Sequence, residues 1–363
     1  MASLFFAIFS LARNRQKLYT LRTKSTKKGH KMFEGKVSLT GIKPTGTPHL
    51  GNLLGAVMPV VKMSNLAKKT YVFVADLHAL NAVKDRKAIR ENSYEVAATY
   101  LAMGINREKT VLFRQSDIPE VPQLSSLLMN VTPKGLMNRA HAYKAAVDKN
   151  TEKGEDPDAG INMGLYTYPI LMAADILLYK SDVVPVGQDQ KQHVEFARDI
   201  AGSFNHLYGD ILTVPEPVIP PDAATVPGLD GRKMSKSYNN YIPIFTDEKN
   251  LKKLIMRIIT DSKTPEEPKN PDDSTIFHIY RAFASNEETA DFRAKFEKGG
   301  MGYGEAKQIL FEKVNACLKE PREKYNHLIS HPQEIDEILA AGAAEARVEA
   351  KKTLQSVLSA MLG

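Results

Sequence analysis

A chain of 363 residues, 43% hydrophobic and 25% charged, is long enough for two domains with their own cores and has the balance of an ordinary soluble globular protein. No run of ~18 apolar residues occurs, which excludes a transmembrane helix, and the single cysteine, Cys317, excludes an internal disulfide and any cysteine-based zinc cluster while fitting a reducing compartment. The net charge of +7 suggests a polyanion partner, yet residues 1–33 hold eight of the 49 basic side chains and none of the 42 acidic ones, leaving 41 against 42 on the body, so any polyanion surface must be a local patch.

Residues 1–33 form a basic, acid-free leader rich in Ser and Thr. Two readings stand for it: a mitochondrial transit peptide, or upstream sequence translated from a misplaced start codon, with Met32 the true start. Lys27-Lys28-Gly29 require a purine run resembling a ribosome-binding site shortly before Met32. The apolar patch Leu4–Ala12 lacks a basic n-region, which argues against a secretory signal.

Lys36–Thr40 reads as a strand, Pro44-Thr45-Gly46-Thr47-Pro48-His49-Leu50-Gly51-Asn52 as a turn, and Leu53–Met63 as a helix. Strand, turn and helix N-terminus in that order suit phosphate binding by backbone amides and the helix dipole. Tyr71–Ala75 is a buried parallel strand ending at Asp76-Leu77-His78, Lys87–Met103 has helical spacing, and Thr110–Phe113 is another strand. The alternation predicts an α/β class: a Rossmann-like, doubly wound parallel sheet that binds ligands beyond the carboxyl ends of its strands. Lys144–Asn162, polar and rich in Gly, Asp and Lys, is predicted to be a mobile surface loop. Pro169–Tyr179 is a mostly apolar helix carrying one carboxylate, Asp175. Pro215–Pro227 contains five prolines and cannot be helix. From Asp247 the pattern is helical, and Glu334–Leu362 is amphipathic. The predicted organisation is a leader (1–33), a Rossmann-like catalytic domain (34–220), a linker with a lysine loop (221–243), and a C-terminal helical domain (244–363).

That lysine loop, Lys233-Met234-Ser235-Lys236-Ser237, can wrap a polyphosphate with ammonium groups, hydroxyls and amides. Taken with Pro44–Asn52, it resembles the KMSKS and HIGH-like signatures of class I aminoacyl-tRNA synthetases. The loop matches letter for letter; the first motif is a looser variant ending His49-Leu50-Gly51-Asn52. Leu165–His193 narrows the family. Its segments Met172-Ala173-Ala174-Asp175 and Pro185-Val186-Gly187-Gln188-Asp189-Gln190 are similar to those of bacterial-type tryptophanyl-tRNA synthetases. The resemblance runs from about Val37 to the C-terminus and includes Gly300-Met301-Gly302-Tyr303-Gly304.

The resemblance implies amino-acid activation: a carboxylate attacks the α-phosphate of ATP and diphosphate leaves. Such a site aligns reactants and neutralises charge, and needs no general base. By resemblance, Lys233 and Lys236, helped by Ser235 and Ser237 and flanked by Met234, hold the β- and γ-phosphates, and His49 donates to them. Lys43, Pro44 and Thr45 line ATP, Lys43 standing where the family usually carries Gln. Gly51 and Asn52 open the helix under the nucleotide. Gly187, Gln188 and Asp189 contact the ribose, Asp189 serving equally as a helix N-cap, and Val226 presents backbone to adenine. For tryptophan, Asp175 accepts from the indole N–H, a donor-only group, and Met172 packs on the ring one helical turn earlier. Tyr168 and His78 complete the pocket, His78 reading equally as a satisfied strand-end histidine, and Gln190 binds the ammonium. The implied partners are L-tryptophan, ATP as substrate with Mg²⁺, and tRNA-Trp gripped by an anticodon-binding helical domain in a homodimer. No tightly bound cofactor, membrane or structural metal is expected; the spacing of His193 and Glu195 fits no helical zinc motif. The expected setting is a bacterial cytoplasm, or the mitochondrial matrix if the leader is a transit peptide. A tyrosyl-tRNA synthetase, a small nucleotidyltransferase and a silent RNA-binding paralogue are the rival readings.

Overall fold

The computed structural model describes residues 32–187, 190–219 and 226–363. The leader up to residue 31, Gln188, Asp189, and the start of the linker at 220–225 lie outside the described residues. Five strands, β1 (Val37–Ile42), β2 (Lys69–Val74), β3 (Thr110–Arg114), β4 (Val183–Pro185) and β5 (Glu216–Val218), form one sheet in the order β3-β2-β1-β4-β5. Every pairing is parallel, with Val37 opposite Lys69, Thr70 opposite Thr110 and Ser38 opposite Val183. β2 and β3 are runs rich in β-branched and aromatic residues and are buried on both faces, as parallel strands between helices must be, whereas β1 is buried at Ser38 and Leu39 and opens toward solvent at Gly41. The sheet is the predicted Rossmann-like α/β architecture, followed by a helical C-terminal region.

Between β1 and β2 run α1 (Leu50–Asn52), a π turn (Leu53–Val57) and α2 (Met58–Leu66). Then come α3 (Asp76–Ala79), α4 (Arg86–Ala102), α5 (Glu120–Leu128), α6 (Lys134–Met137), α7 (His141–Glu152), α8 (Met163–Leu177) and α9 (Lys191–Tyr208). The C-terminal region adds α10 (Glu248–Met256), α11 (Thr275–Phe283), α12 (Asn286–Lys298), α13 (Tyr303–Ser330) and α14 (Pro332–Leu362). Capping residues set several starts: Asp85, Asn162, Asp247, Ser274 and Ser285 each accept a backbone N–H of the first turn.

Three local expectations need correction. The predicted mobile loop Lys144–Asn162 is helical through Glu152, because Ala145-Ala146-Val147 propagate α7 while its polar side chains other than the buried Asn150 face water. The turn after it is pinned: Asn150 Nδ2 donates to the carbonyls of Pro157 (3.0 Å) and Ala159 (2.8 Å). The first helix begins at Leu50, three residues early, because His49 caps it. The Asp175 helix spans Met163–Leu177; Asn162 takes the cap and Pro169 lies inside. Within the proline-rich stretch, Pro217 sits in β5, an edge strand that tolerates proline.

The long α14 does not stand apart from the sheet. It packs along the edge strand β3, with Ala343, Ala346 and Ala350 in the same apolar core as Val111 and Phe113. Arg347 forks onto the buried Glu120 at 3.0–3.1 Å, Lys69 meets Glu345 at 2.8 Å, and Arg114 pairs with Asp336. Gly342 makes the close approach possible, since a Cβ there would overlap the Leu112 carbonyl. Gly→Ala inside a helix ordinarily stabilises by about 0.5–1 kcal/mol. At Gly342 the sign should reverse, with overpacking costing about 1–3 kcal/mol. The urea midpoint of Gly342→Ala reads this directly, and an unchanged or raised midpoint would contradict the packing.

Candidate active site

His49 closes a capping box at the mouth of the sheet. Its Nδ1 accepts the Asn52 N–H (3.3 Å), and Asn52 Oδ1 accepts the His49 N–H (3.1 Å). Because Nδ1 is an acceptor, the neutral ring carries its proton on Nε2. Burial, with Lys236 nearby, lowers the His49 pKa from 6.5 to about 4, so the ring is neutral at physiological pH.

The lysine loop lies directly against this turn. Leu50 N–H donates to the Ile242 carbonyl (2.9 Å), Ile244 N–H to the Pro48 carbonyl (3.1 Å), and Gly51 N–H to Met234 Sδ (3.3 Å). Lys236 Nζ donates to the Thr45 carbonyl at 3.2 Å. The loop holds its shape through the buried Asn240, whose Oδ1 accepts Ser235 N–H (2.8 Å). The Asn240 Nδ2 donates to Asp230 (2.6 Å) and to the Lys233 carbonyl (3.2 Å). Ser235 Oγ accepts Ser237 N–H, and Asn239 turns the chain in the left-handed region at φ 50°. The ammonium of Lys233 stays exposed.

From this turn a cleft of about 660 Å³ runs inward over the strand ends. Lys43, Thr45, His49, Asn52, Gly187, Ser235 and Lys236 line it, together with His78, Tyr168, Met172 and Gln190. Lys43 Nζ stands 5.8 Å over the Tyr168 ring, and Tyr168 Oη lies 2.8 Å from His193 Nε2. Behind this wall Asp175, only 2% exposed, is gripped by side chains: Gln115 Nε2 reaches both of its oxygens (3.0 and 2.8 Å) and His78 Nε2 one (2.9 Å). Burial pushes the Asp175 carboxyl above the usual range, and the bonds from His78 and Gln115 oppose that rise. The buried Nδ1 of His78 has no partner among the described residues.

Comparison with known proteins decides the family. A family model described as class I tRNA synthetases (W and Y) matches residues 36–319. The tryptophan–tRNA ligase of Pseudomonas aeruginosa is 55% identical over 313 residues, covering 85% of this chain and 70% of that protein. That of Neisseria meningitidis is 51% identical over 325 residues, 89% of this chain and 96% of the relative. The crystal structure of tryptophanyl-tRNA synthetase from Campylobacter jejuni complexed with ADP and tryptophan aligns with a TM-score of 0.80 at 44% identity, covering 89% of this chain and 98% of that one. The chain belongs to the bacterial-type tryptophan–tRNA ligases.

Not every residue expected of a tryptophan–tRNA ligase site lies on the cleft wall. Pro44, Gly51, Lys233, Met234 and Ser237 are set back from it, and Gln188 and Asp189 lie outside the described residues. The Val226 carbonyl accepts the Met234 N–H at 2.9 Å, which ties that residue to the lysine loop. Asp175 sits one layer behind the wall. Two residues were missed by sequence reasoning. Gln115 follows β3 and carries no motif; only the register of β2 with β3 sets it beside His78, whose N–H its Oε1 accepts at 3.3 Å. Asn240 lies one residue beyond the recognised loop.

Two measurements follow from this geometry. Gln115→Leu removes two of the three side-chain bonds to a buried carboxylate and should cost about 1–3 kcal/mol in urea unfolding. A loss of only a few tenths would mean that Gln115 does not hold Asp175. His49 has a folded pKa of about 4 against 6.5 unfolded, so its stabilising effect is complete above pH 6.5 and is lost as pH falls toward 4. His49→Asn keeps a capping side chain and should flatten stability against pH across that window; an unaltered slope would show that His49 titrates normally.

Proposed function

We propose that this cleft condenses tryptophan with ATP to tryptophanyl-adenylate and diphosphate, then transfers the tryptophanyl group to tRNA-Trp. One observation carries the reading. A single cleft is lined by Ser235 and Lys236 of the lysine loop, suited to a polyphosphate, and by His78, Tyr168 and Met172, behind which the buried Asp175 carboxylate, suited to a donor-only N–H, is held by His78 and Gln115. A tryptophan carboxylate oxygen attacks the α-phosphorus between loop and pocket, forming a new P–O bond as the bond to diphosphate breaks.

In this reading Lys236 exchanges the Thr45 carbonyl for β- and γ-phosphate oxygens, and Lys233 swings in from solvent beside it. Neutral His49 donates its Nε2 proton, Ser235 and Ser237 add hydroxyls, and the amides of Gly51 and Asn52 face the phosphates once Met234 shifts. Lys43 and Thr45 flank the α-phosphate with Pro44 behind them, while Gly187, Gln188 and Asp189 hold the ribose. Asp175 accepts from the indole with Met172 and Tyr168 against the ring, and His78 Nδ1 and Gln190 receive the ammonium. Gln115 is a positioning residue that aims the Asp175 carboxylate. No carboxylate is among the described residues lining the cleft, so Mg²⁺ would arrive with ATP on phosphate oxygens.

The same reading makes 34–220 the catalytic domain, 221–243 the linker and lysine loop, and 244–363 the tRNA anticodon-binding region of a cytoplasmic homodimer. No helix among the described residues is long and apolar enough to cross a membrane.

Diphosphate exchange assayed with each of the twenty amino acids tests the proposal. Tryptophan should drive exchange; a response to tyrosine instead would overturn the reading. Lys236→Ala and Lys233→Ala should each slow exchange about 10²–10³-fold, the range for charge-stabilising donors, and barely change tryptophan affinity. Equal losses in rate and affinity would make the loop merely structural.

A further inference from the structure

Away from the cleft, the corner between α13 and α14 gathers three metal-ligating side chains, His327, His331 and Glu334. One potential ligand atom from each lies within 4.8 Å of the other two. His327 lies in the last turn of α13 and His331 is the residue that ends it, in a non-helical conformation at φ −127°; their ring centroids are 4.3 Å apart. The chain turns at Pro332, and Glu334 Oε1 then accepts from His327 Nε2 at 2.9 Å. The tautomer of His331 is also fixed. Its Nδ1 lies 2.8 Å from the His327 carbonyl, which can only accept, so Nδ1 carries the proton and Nε2 offers a lone pair. Histidine metal ligands are commonly oriented this way, with the second ring nitrogen donating to a carbonyl.

We propose that His327, His331 and Glu334 form a binding site for a divalent transition ion, with Zn²⁺ the best match to two imidazoles and a carboxylate. The ion takes the place of the proton between His327 Nε2 and Glu334 Oε1, and that proton moves to Nδ1 of the neutral ring. Bonds of about 2.0–2.2 Å then hold three protein ligands, with a water completing the tetrahedron. The His327–Glu334 pair is already near the required bite. All three side chains are exposed, so rotation alone can bring His331 in. Since the ligands come from both sides of the corner, the ion ties the end of α13 to the start of α14.

Calorimetric titration of the full chain with ZnCl₂ should show one saturable site of micromolar affinity. His327→Ala, His331→Ala and Glu334→Gln should each weaken it roughly ten-fold or more, and the double histidine variant should abolish it. Without metal the variants should melt like the parent; with Zn²⁺ the parent should rise by a few degrees, the single variants by less, and the double variant not at all. Failure of the full chain to bind Zn²⁺, or binding that survives the double variant, would overturn the proposal.

Discussion

The seating of the lysine loop on the N-terminus of α1 is the contact on which the rest of the site depends. Gly51 N–H and Met234 Sδ meet across 183 residues of sequence, and the flanking backbone bonds at Leu50 and Ile244 fix the register between the two segments. Only glycine fits at the seam. A Cβ on Gly51 would lie 2.9 Å from the His49 ring and 3.4 Å from Met234 Cβ, pushing the loop away or breaking the cap. A slip of one residue would also take Lys236 off Thr45 and leave the cleft without its positive end.

The partners in that seam are weak ones. A thioether is a poor acceptor, and the Thr45 carbonyl is neutral. A phosphate oxygen offers both donors a charge-assisted bond roughly twice as strong as a neutral one. On the proposed reading, the helix N-terminus and Lys236 therefore hold partners that an incoming nucleotide can displace, and loop closure on ATP exchanges weak bonds for strong ones. The neutral state of His49 belongs to the same balance. A third cation beside Lys236 would repel it, whereas a neutral ring donates without adding charge.

Alternating strands and helices made the sheet legible in the sequence, and the two motifs identified its business end through family resemblance. The information lost was relational. Gln115 is an unremarked residue after a strand until β2 and β3 align and place it next to Asp175. The helix in Lys144–Glu152 was hidden because its outer face is so polar that composition resembles a loop. The amphipathic stripe of α14 announced a buried face without naming what would cover it. The run Ala340-Ala341-Gly342-Ala343-Ala344 did carry a usable signal, since a string of small residues permits close backbone approach.

That approach has a mechanical consequence. By lying on β3, α14 shields an edge strand that would otherwise present unpaired backbone groups, and it fixes the helical region to the sheet. α13 is then held between α14 and its own packing on α4, α10 and α11. From α13, Tyr325 stacks on Phe245 with centroids 4.3 Å apart, just downstream of the lysine loop. At its other flank, Gly228 abuts Asn240 so closely that a Cβ would collide with that side chain. The loop is thus clamped at both ends by groups anchored in different layers, and its freedom is confined to Gly231–Asn239. On the proposed reading, a loop restrained in this way exchanges Thr45 for a phosphate without disturbing Ile242 and Ile244, so the cleft keeps its register while its charged lip moves.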